Sequence, residues 1–140
     1  MASENVEIVL ELHAAVTRGD LDGVLSLAHP KVEYHSAIQQ AMEGEGSVFK
    51  GPAGIQRWFE ELQDLYEYLE SEVLEVHDFG ERVVIAFVVR GRGAGSGIVL
   101  EQPLAQVVTV REGKIVAVRD YFTREEALAA AGSESPSSPA

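Results

Sequence analysis

The 140-residue chain contains no cysteine. That absence removes disulfide staples, a thiol nucleophile and thiolate metal sites together. Basic residues are also scarce, with 11 Lys and Arg against 23 Asp and Glu and a formal net charge of -12. No basic run offsets this charge locally, so neither nucleic acid nor an anionic membrane surface is an expected partner. No apolar run approaches the roughly 20 residues of a membrane span. The opening MASENVEIV lacks the charged-then-apolar pattern of a secretory leader. The expectation is a soluble cytoplasmic protein. Its four histidines, His13, His29, His35 and His77, have no carboxylate partners at ligand spacing, so no metal is expected. No serine sits at a strand-to-helix elbow, which sets aside a Ser-His-Asp arrangement. Nothing in the sequence asks for a cofactor.

What is present is an ordinary globular composition, 46% hydrophobic, of a length that suits one domain with its own core. Ser3 can cap a first helix in which Val6, Val9, Leu10, His13 and Val16 recur at helical spacing. Arg18-Gly19-Asp20 separates it from a short second helix over Leu21 to Ala28, which Pro30 ends. Lys31 to Ser36 alternates as a strand, with Tyr34 in the phase of Val32 and His35 pointing away. Gln39 to Ser47 has no periodicity and reads as a mobile loop. Gly51-Pro52 then opens a helix of about five turns, because Ile55, Trp58, Phe59, Leu62, Leu65, Tyr66 and Leu69 follow the three-to-four-residue rule.

From Glu72 the pattern changes to strands, over Glu72 to Val76, Arg82 to Arg92, Ile98 to Val110 and Ile115 to Phe122. The turns between them are short, which favours antiparallel hairpins. The glycine-rich Gly91 to Gly97 suits a bent, bulged hairpin better than a phosphate loop, since no GK[ST] ending follows. Thr123 and Glu126 form a capping box for a last helix through about Ala131. The domain is expected to span residues 1–132, with the tail 133–140 disordered. Helices followed by an antiparallel sheet are an α+β order, and a curved sheet wrapped around the long helix would leave an internal pocket. One strand carries an anomaly. In KIVAVRDYF a period of two puts Asp120 on one face with Val116, Val118 and Phe122, so either the strand has left the core by Asp120 or a carboxylate is held in an apolar cavity.

Three stretches together resemble the nuclear transport factor 2-like superfamily, and within it the SnoaL-like branch. They are GDLDG after the first helix, KGPAGI before the third, and GKIV leading into RDYF. The resemblance covers roughly residues 5–132. It implies a conical, cystatin-like α+β domain with a deep apolar pocket beneath the long helix and a small hydrophobic ligand of a polyketide- or steroid-like kind. It also implies a homodimer through the outer sheet face, where Thr109, Arg119 and Tyr121 lie. The fold hosts cyclases, isomerases, epoxide hydrolases and non-catalytic binding modules, so both an enzyme and a binding or dimerisation module stand as readings.

The resemblance matches the inward positions of two strands to Val84, Ala86, Val88 and Arg90, and to Val116, Val118, Asp120 and Phe122. Asp120 falls where limonene-epoxide-hydrolase-like proteins carry the base that activates water, and Arg90 is its expected cation. Arg92 stands where those hydrolases have a second aspartate, which argues against epoxide hydrolysis. The alternatives for Asp120 are a simple ion pair with Arg90 or exposure at the strand end. The ketosteroid isomerases place their catalytic groups at positions matching His13, Tyr34 or Ser36, and Gln106, and none of their residue types is present. His13 and Gln106 can still donate to a ligand oxygen, and Gln106 on an otherwise apolar strand must find partners. Tyr34 suits a pocket wall. Phe59 matches an aromatic pocket position, while Trp58, about 100° away on the helix, is assigned to the core. Leu62, Val88, Val118 and Phe122 complete the expected ligand contacts.

Overall fold

The computed structural model describes residues 3–37 and 48–133. The expected loop Gln39 to Ser47 and the tail from 134 onward lie outside the described residues. The order of elements is α1 (Glu4–Thr17), α2 (Leu21–Leu27), β1 (Ala28–His35), β2 (Val48–Lys50), α3 (Gly51–Leu65), β3 (Tyr66–Phe79), β4 (Arg82–Gly93), β5 (Val99–Arg111), β6 (Lys114–Tyr121) and α4 (Arg124–Ser133). Three helix starts have the caps that the sequence asks for. Ser3 Oγ accepts from the Val6 N–H at 3.1 Å, and Asp20 accepts from the Gly23 N–H at 2.9 Å. Thr123 and Glu126 exchange hydrogen bonds in a capping box.

The six strands form one curved α+β sheet in the order β2-β1-β6-β5-β4-β3. Four of its pairings are antiparallel, but β1 and β6 run parallel, so the sheet is mixed. The helices α1, α2 and α3 close one face. Val9, Val32, Val83, Ile85, Val108 and Val110 are fully buried there, each contributing about 1.5–3 kcal/mol by leaving water.

Several element boundaries, and one buried stripe, differ from the sequence reading. The helix α3 stops at Leu65, and Tyr66 to Ser71 joins β3 instead of continuing the helix to Leu69. The reason is the partner strand. Tyr68, Leu69 and Glu70 pair with Arg92, Gly91 and Arg90, and Gly91 lets the strands approach, because a Cβ there would lie 2.8 Å from the Tyr68 carbonyl oxygen. Strand β1 begins at Ala28, before Pro30, whose lack of an N–H falls in the irregular stretch between the paired Ala28 and Glu33. On α1, Leu10 is 37% exposed, so the buried stripe is carried by Val6, Val9, His13 and Ala15.

The phase of β4 also differs. Val83, Ile85, Phe87 and Val89 face the core beneath the helices. Val84 lies on the opposite face, in a second cluster with Ala105, Val107, Ala127 and Ala131 under α4. Both faces of β4 are covered, so its sequence VVIAFVV is apolar without alternation and carries no phase. In β6 the alternation is broken by a register shift, with Val110 opposite Ile115 and Thr109 opposite Ala117. That leaves Val116 as the extra residue of a bulge and turns Ile115 to the same side as Val118 and Asp120.

Candidate functional site

Between α3 and the concave side of the sheet lies a cavity of about 300 Å³. The long helix α3 contributes Ile55, Trp58 and Leu62, α1 contributes Leu12 and His13, and the strands contribute Tyr34, Ser71, Phe87, Leu104, Gln106, Val118 and Asp120. Neighbouring strands set the polar cluster by register: Gln106 lies opposite Asp120, and Tyr34 lies opposite Val118, one inward position from that acid. His13, Tyr34, Gln106 and Asp120 are each buried.

These groups form a continuous hydrogen-bonded chain whose polarity is fixed by the carboxylate. Asp120 Oδ2 accepts from the Tyr34 hydroxyl at 2.7 Å and from the Ala37 N–H at 3.2 Å. Asp120 Oδ1 accepts from Gln106 Nε2 at 2.8 Å. The reverse amide orientation would set two acceptors against each other, so Gln106 Oε1 must face His13. His13 Nε2 therefore carries its hydrogen and donates to Oε1 at 2.9 Å, leaving Nδ1 to accept from the Ser71 hydroxyl at 2.7 Å. The imidazole stands edge-on to Phe87, with ring centroids 4.7 Å apart. Trp58 stands edge-on to Tyr34 at 5.0 Å.

Burial governs the electrostatics. It pushes the Asp120 carboxyl up to about 6, against the opposing pull of hydrogen bonds from Tyr34, Gln106 and Ala37. Burial lowers His13 to about 4, against the hydrogen bond to Gln106, so the imidazole is neutral at physiological pH. The Tyr34 phenol is raised well above its ordinary value, first by burial and then by the charge of Asp120 beside it. The arrangement is a carboxylate close to its titration point at neutral pH, ringed by neutral donors. Such a group can take a proton from a weakly acidic ligand atom and return it. Among the described residues no three His, Asp or Glu side chains converge as a metal-ligand set.

The structure brings His13, Tyr34, Leu62, Gln106, Val118 and Asp120 to the cavity and moves four expected residues away from it. Arg90 lies on the outer face of β4, where it pairs with Glu72 and, at 2.8 Å, with Glu101. Neither an Arg90-Asp120 ion pair nor tuning of that acid by Arg90 exists. Val88 shares that outer phase, for the same reason: β4 carries Phe87 and Val89 inward. Phe59 is buried in the core beside the cavity, and Trp58 takes the wall position assigned to Phe59. The earlier end of α3 and the broad apolar face made these adjacent aromatics interchangeable in the sequence. Phe122 is 49% exposed, because β6 ends at Tyr121 and the chain turns into the Thr123 cap. Ser71 was missed, though the alternation Leu69, Ser71, Val73 in a longer β3 would have placed it.

Residues 9–118 match a family model described as the SnoaL-like domain. No curated protein matches the chain. Among solved structures, an NTF2-like protein of unknown function from Burkholderia pseudomallei is 23% identical, with 89% of this chain and 95% of that one covered and a TM-score of 0.77. TerC, co-crystallised with polyporic acid, is 25% identical over 89% of this chain and 95% of its own, with a TM-score of 0.75. A candidate SnoaL-like polyketide cyclase from a Jannaschia species is 22% identical over 95% and 94%, with a TM-score of 0.70.

Proposed function

Because the chain belongs to the SnoaL-like domain family, we propose that it binds a small, largely apolar organic molecule beneath α3 and moves a proton on it with the Asp120 carboxyl. The reaction is of the cyclase, isomerase or hydrolase type and uses no cofactor. The observation that carries this reading is Asp120 itself, buried in an apolar cavity, hydrogen-bonded by three neutral donors and raised to about 6. With no arginine beside it, its charge form is not locked by an ion pair. Gln106 and Tyr34 hold the carboxylate in place, and His13 fixes the Gln106 amide. The bound polyporic acid of TerC and the cyclase description of the Jannaschia protein support a small organic ligand and a cyclase-type reaction.

A second reading is a binding module of the same fold without chemistry. It is favoured by the lack, among the described residues, of a second acid or base in the hydrogen-bonded cluster that titrates near neutrality, since His13 is neutral and the Tyr34 phenol is raised. One experiment separates the two. A molecule retained by the purified protein is identified by mass spectrometry, and its binding and conversion are compared in wild type and Asp120→Asn. The acid/base reading expects binding to persist while conversion falls on the order of 10²–10⁴-fold. Unchanged conversion would remove Asp120 from the reaction, and binding without conversion in both proteins would leave the module. The same reading includes a homodimer through the sheet face bearing Thr109, Arg119 and Tyr121, and a cytoplasmic setting. The absence of cysteine suits that setting, and among the described residues no helix is long and apolar enough to cross a membrane.

A further inference from the structure

Four polar side chains of the cavity direct their hydrogens within one cluster. Ser71 donates to His13, His13 to Gln106, and Gln106 and Tyr34 to Asp120, which also receives the Ala37 N–H. What this cluster leaves for a ligand is mainly lone pairs. Asp120 Oδ1 carries one hydrogen bond where Oδ2 carries two, so among the described residues an acceptor position is left on Oδ1. Gln106 Oε1 likewise has a second lone pair.

Charge points the same way. No lysine or arginine is among the described residues that line the cavity, whereas Asp120, Glu61 and Glu70 are. Glu61 is partly balanced by Arg57 at 3.5 Å, outside the lining. The Asp120 carboxylate has left water without meeting a cation, and its hydrogen bonds offset only part of that cost. An anionic ligand would add a like charge to a site of low dielectric, and a hydrocarbon would leave the open lone pair dry. A cation that carries its own N–H answers both deficits, and the walls suit its apolar body.

We propose that the cavity selects a lipophilic amine in its protonated form, with the ammonium N–H directed at the open lone pair of Asp120 Oδ1 and the apolar body against Trp58, Phe87 and Leu104. This rests on the small-molecule reading of the cavity and adds to it the charge and donor character of the ligand.

The test uses three ligands of similar shape and different charge: N,N-dimethylbenzylamine, isobutylbenzene and phenylacetate. Binding is followed by the fluorescence of Trp58, the single tryptophan of the chain, at about pH 7.5, where Asp120 is ionised and the amine protonated. The amine is expected to bind at least about tenfold more tightly than the hydrocarbon, with phenylacetate weakest. In Asp120→Asn the preference for the amine over the hydrocarbon should disappear. Equal or tighter binding of isobutylbenzene overturns the amine assignment while leaving the small-molecule reading intact, and so does preference for phenylacetate. Binding of none of the three overturns both. A preference for the amine that survives in a folded Asp120→Asn protein overturns the role given to that carboxylate. If that variant does not fold, the ranking of the three ligands on wild type decides alone.

Discussion

Replacing Asp120 with asparagine removes the one buried carboxyl of the cavity among the described residues while keeping its shape, and the consequence for stability depends on pH in a way the structure dictates. The carboxyl is raised from an ordinary 3.8 to about 6, chiefly by burial. Between those values the folded protein binds a proton that the unfolded chain does not. Wild-type stability therefore falls as pH rises through this window, and the loss is complete above about 6 to 7. A tenfold change in proton affinity is worth about 1.4 kcal/mol, so the whole effect is about 3 kcal/mol, of which about 2 to 3 lie above pH 4. Asparagine has no such dependence. It carries its own cost at every pH, because one of the three donors Tyr34, Ala37 and Gln106 then faces an NH₂ group, at about 1–3 kcal/mol. The expected result is a variant less stable than wild type at about pH 4 that gains about 2 to 3 kcal/mol on it by about pH 7.5. Chemical unfolding followed by Trp58 fluorescence at a series of pH values measures this difference. His13, lowered to about 4, imposes the opposite slope on both proteins and drops out of the comparison so long as it titrates alike in both. The carbon-13 shift of the Asp120 carboxyl in wild type checks the same quantity directly, with a midpoint near 6. A stability difference that stays flat across this range, or a midpoint near 4, would refute the argument from burial.

Arg90→Ala should leave both the unfolding midpoint and the Asp120 carboxyl midpoint essentially unchanged, because Arg90 is a solvated surface group paired with Glu72 and Glu101. A carboxyl midpoint that moves with this substitution would return the arginine to the cavity. Sedimentation at micromolar concentration should show a dimer that charge reversal at Arg119 weakens, and a monomer would contradict an interface on that sheet face.

Tyr34 was legible because β1 has one covered face, where it alternates with exposed Glu33 and half-buried His35. Gln106 was legible for another reason, as the one polar side chain in a stretch of β5, Leu104 to Val108, that is buried on both faces. Asp120 was legible as an anomaly, a carboxylate in phase with Val118. The strand β4 was not legible, because α4 covers its second face with Ala127 and Ala131 and leaves no polar alternation to read. Arg90 and Val88 were misplaced together by that single missing signal. The end of α3 was hidden for a related reason. Leu65, Tyr66 and Leu69 satisfy a helical stripe, yet Tyr66, Glu70 and their neighbours also pair with β4, and tertiary pairing outweighs local propensity. Nor could sequence separate Trp58 from Phe59, since the apolar face of α3 is wide enough to bury either.

The parallel pairing of β1 with β6 has a consequence for the order in which the protein acquires its chemistry. Gln106 and Asp120 are 14 residues apart and meet within one hairpin. Tyr34 and Asp120 are separated by 86 residues, and His13 and Gln106 by 93. Contacts of that span carry the largest loop-closure cost and form only as the two ends of the chain come together. In the unfolded chain Asp120 sits in water with an ordinary proton affinity. Its raised affinity is a property of the completed chain, and it arises when β1 docks against β6 and the N-terminal helix brings His13 to Gln106.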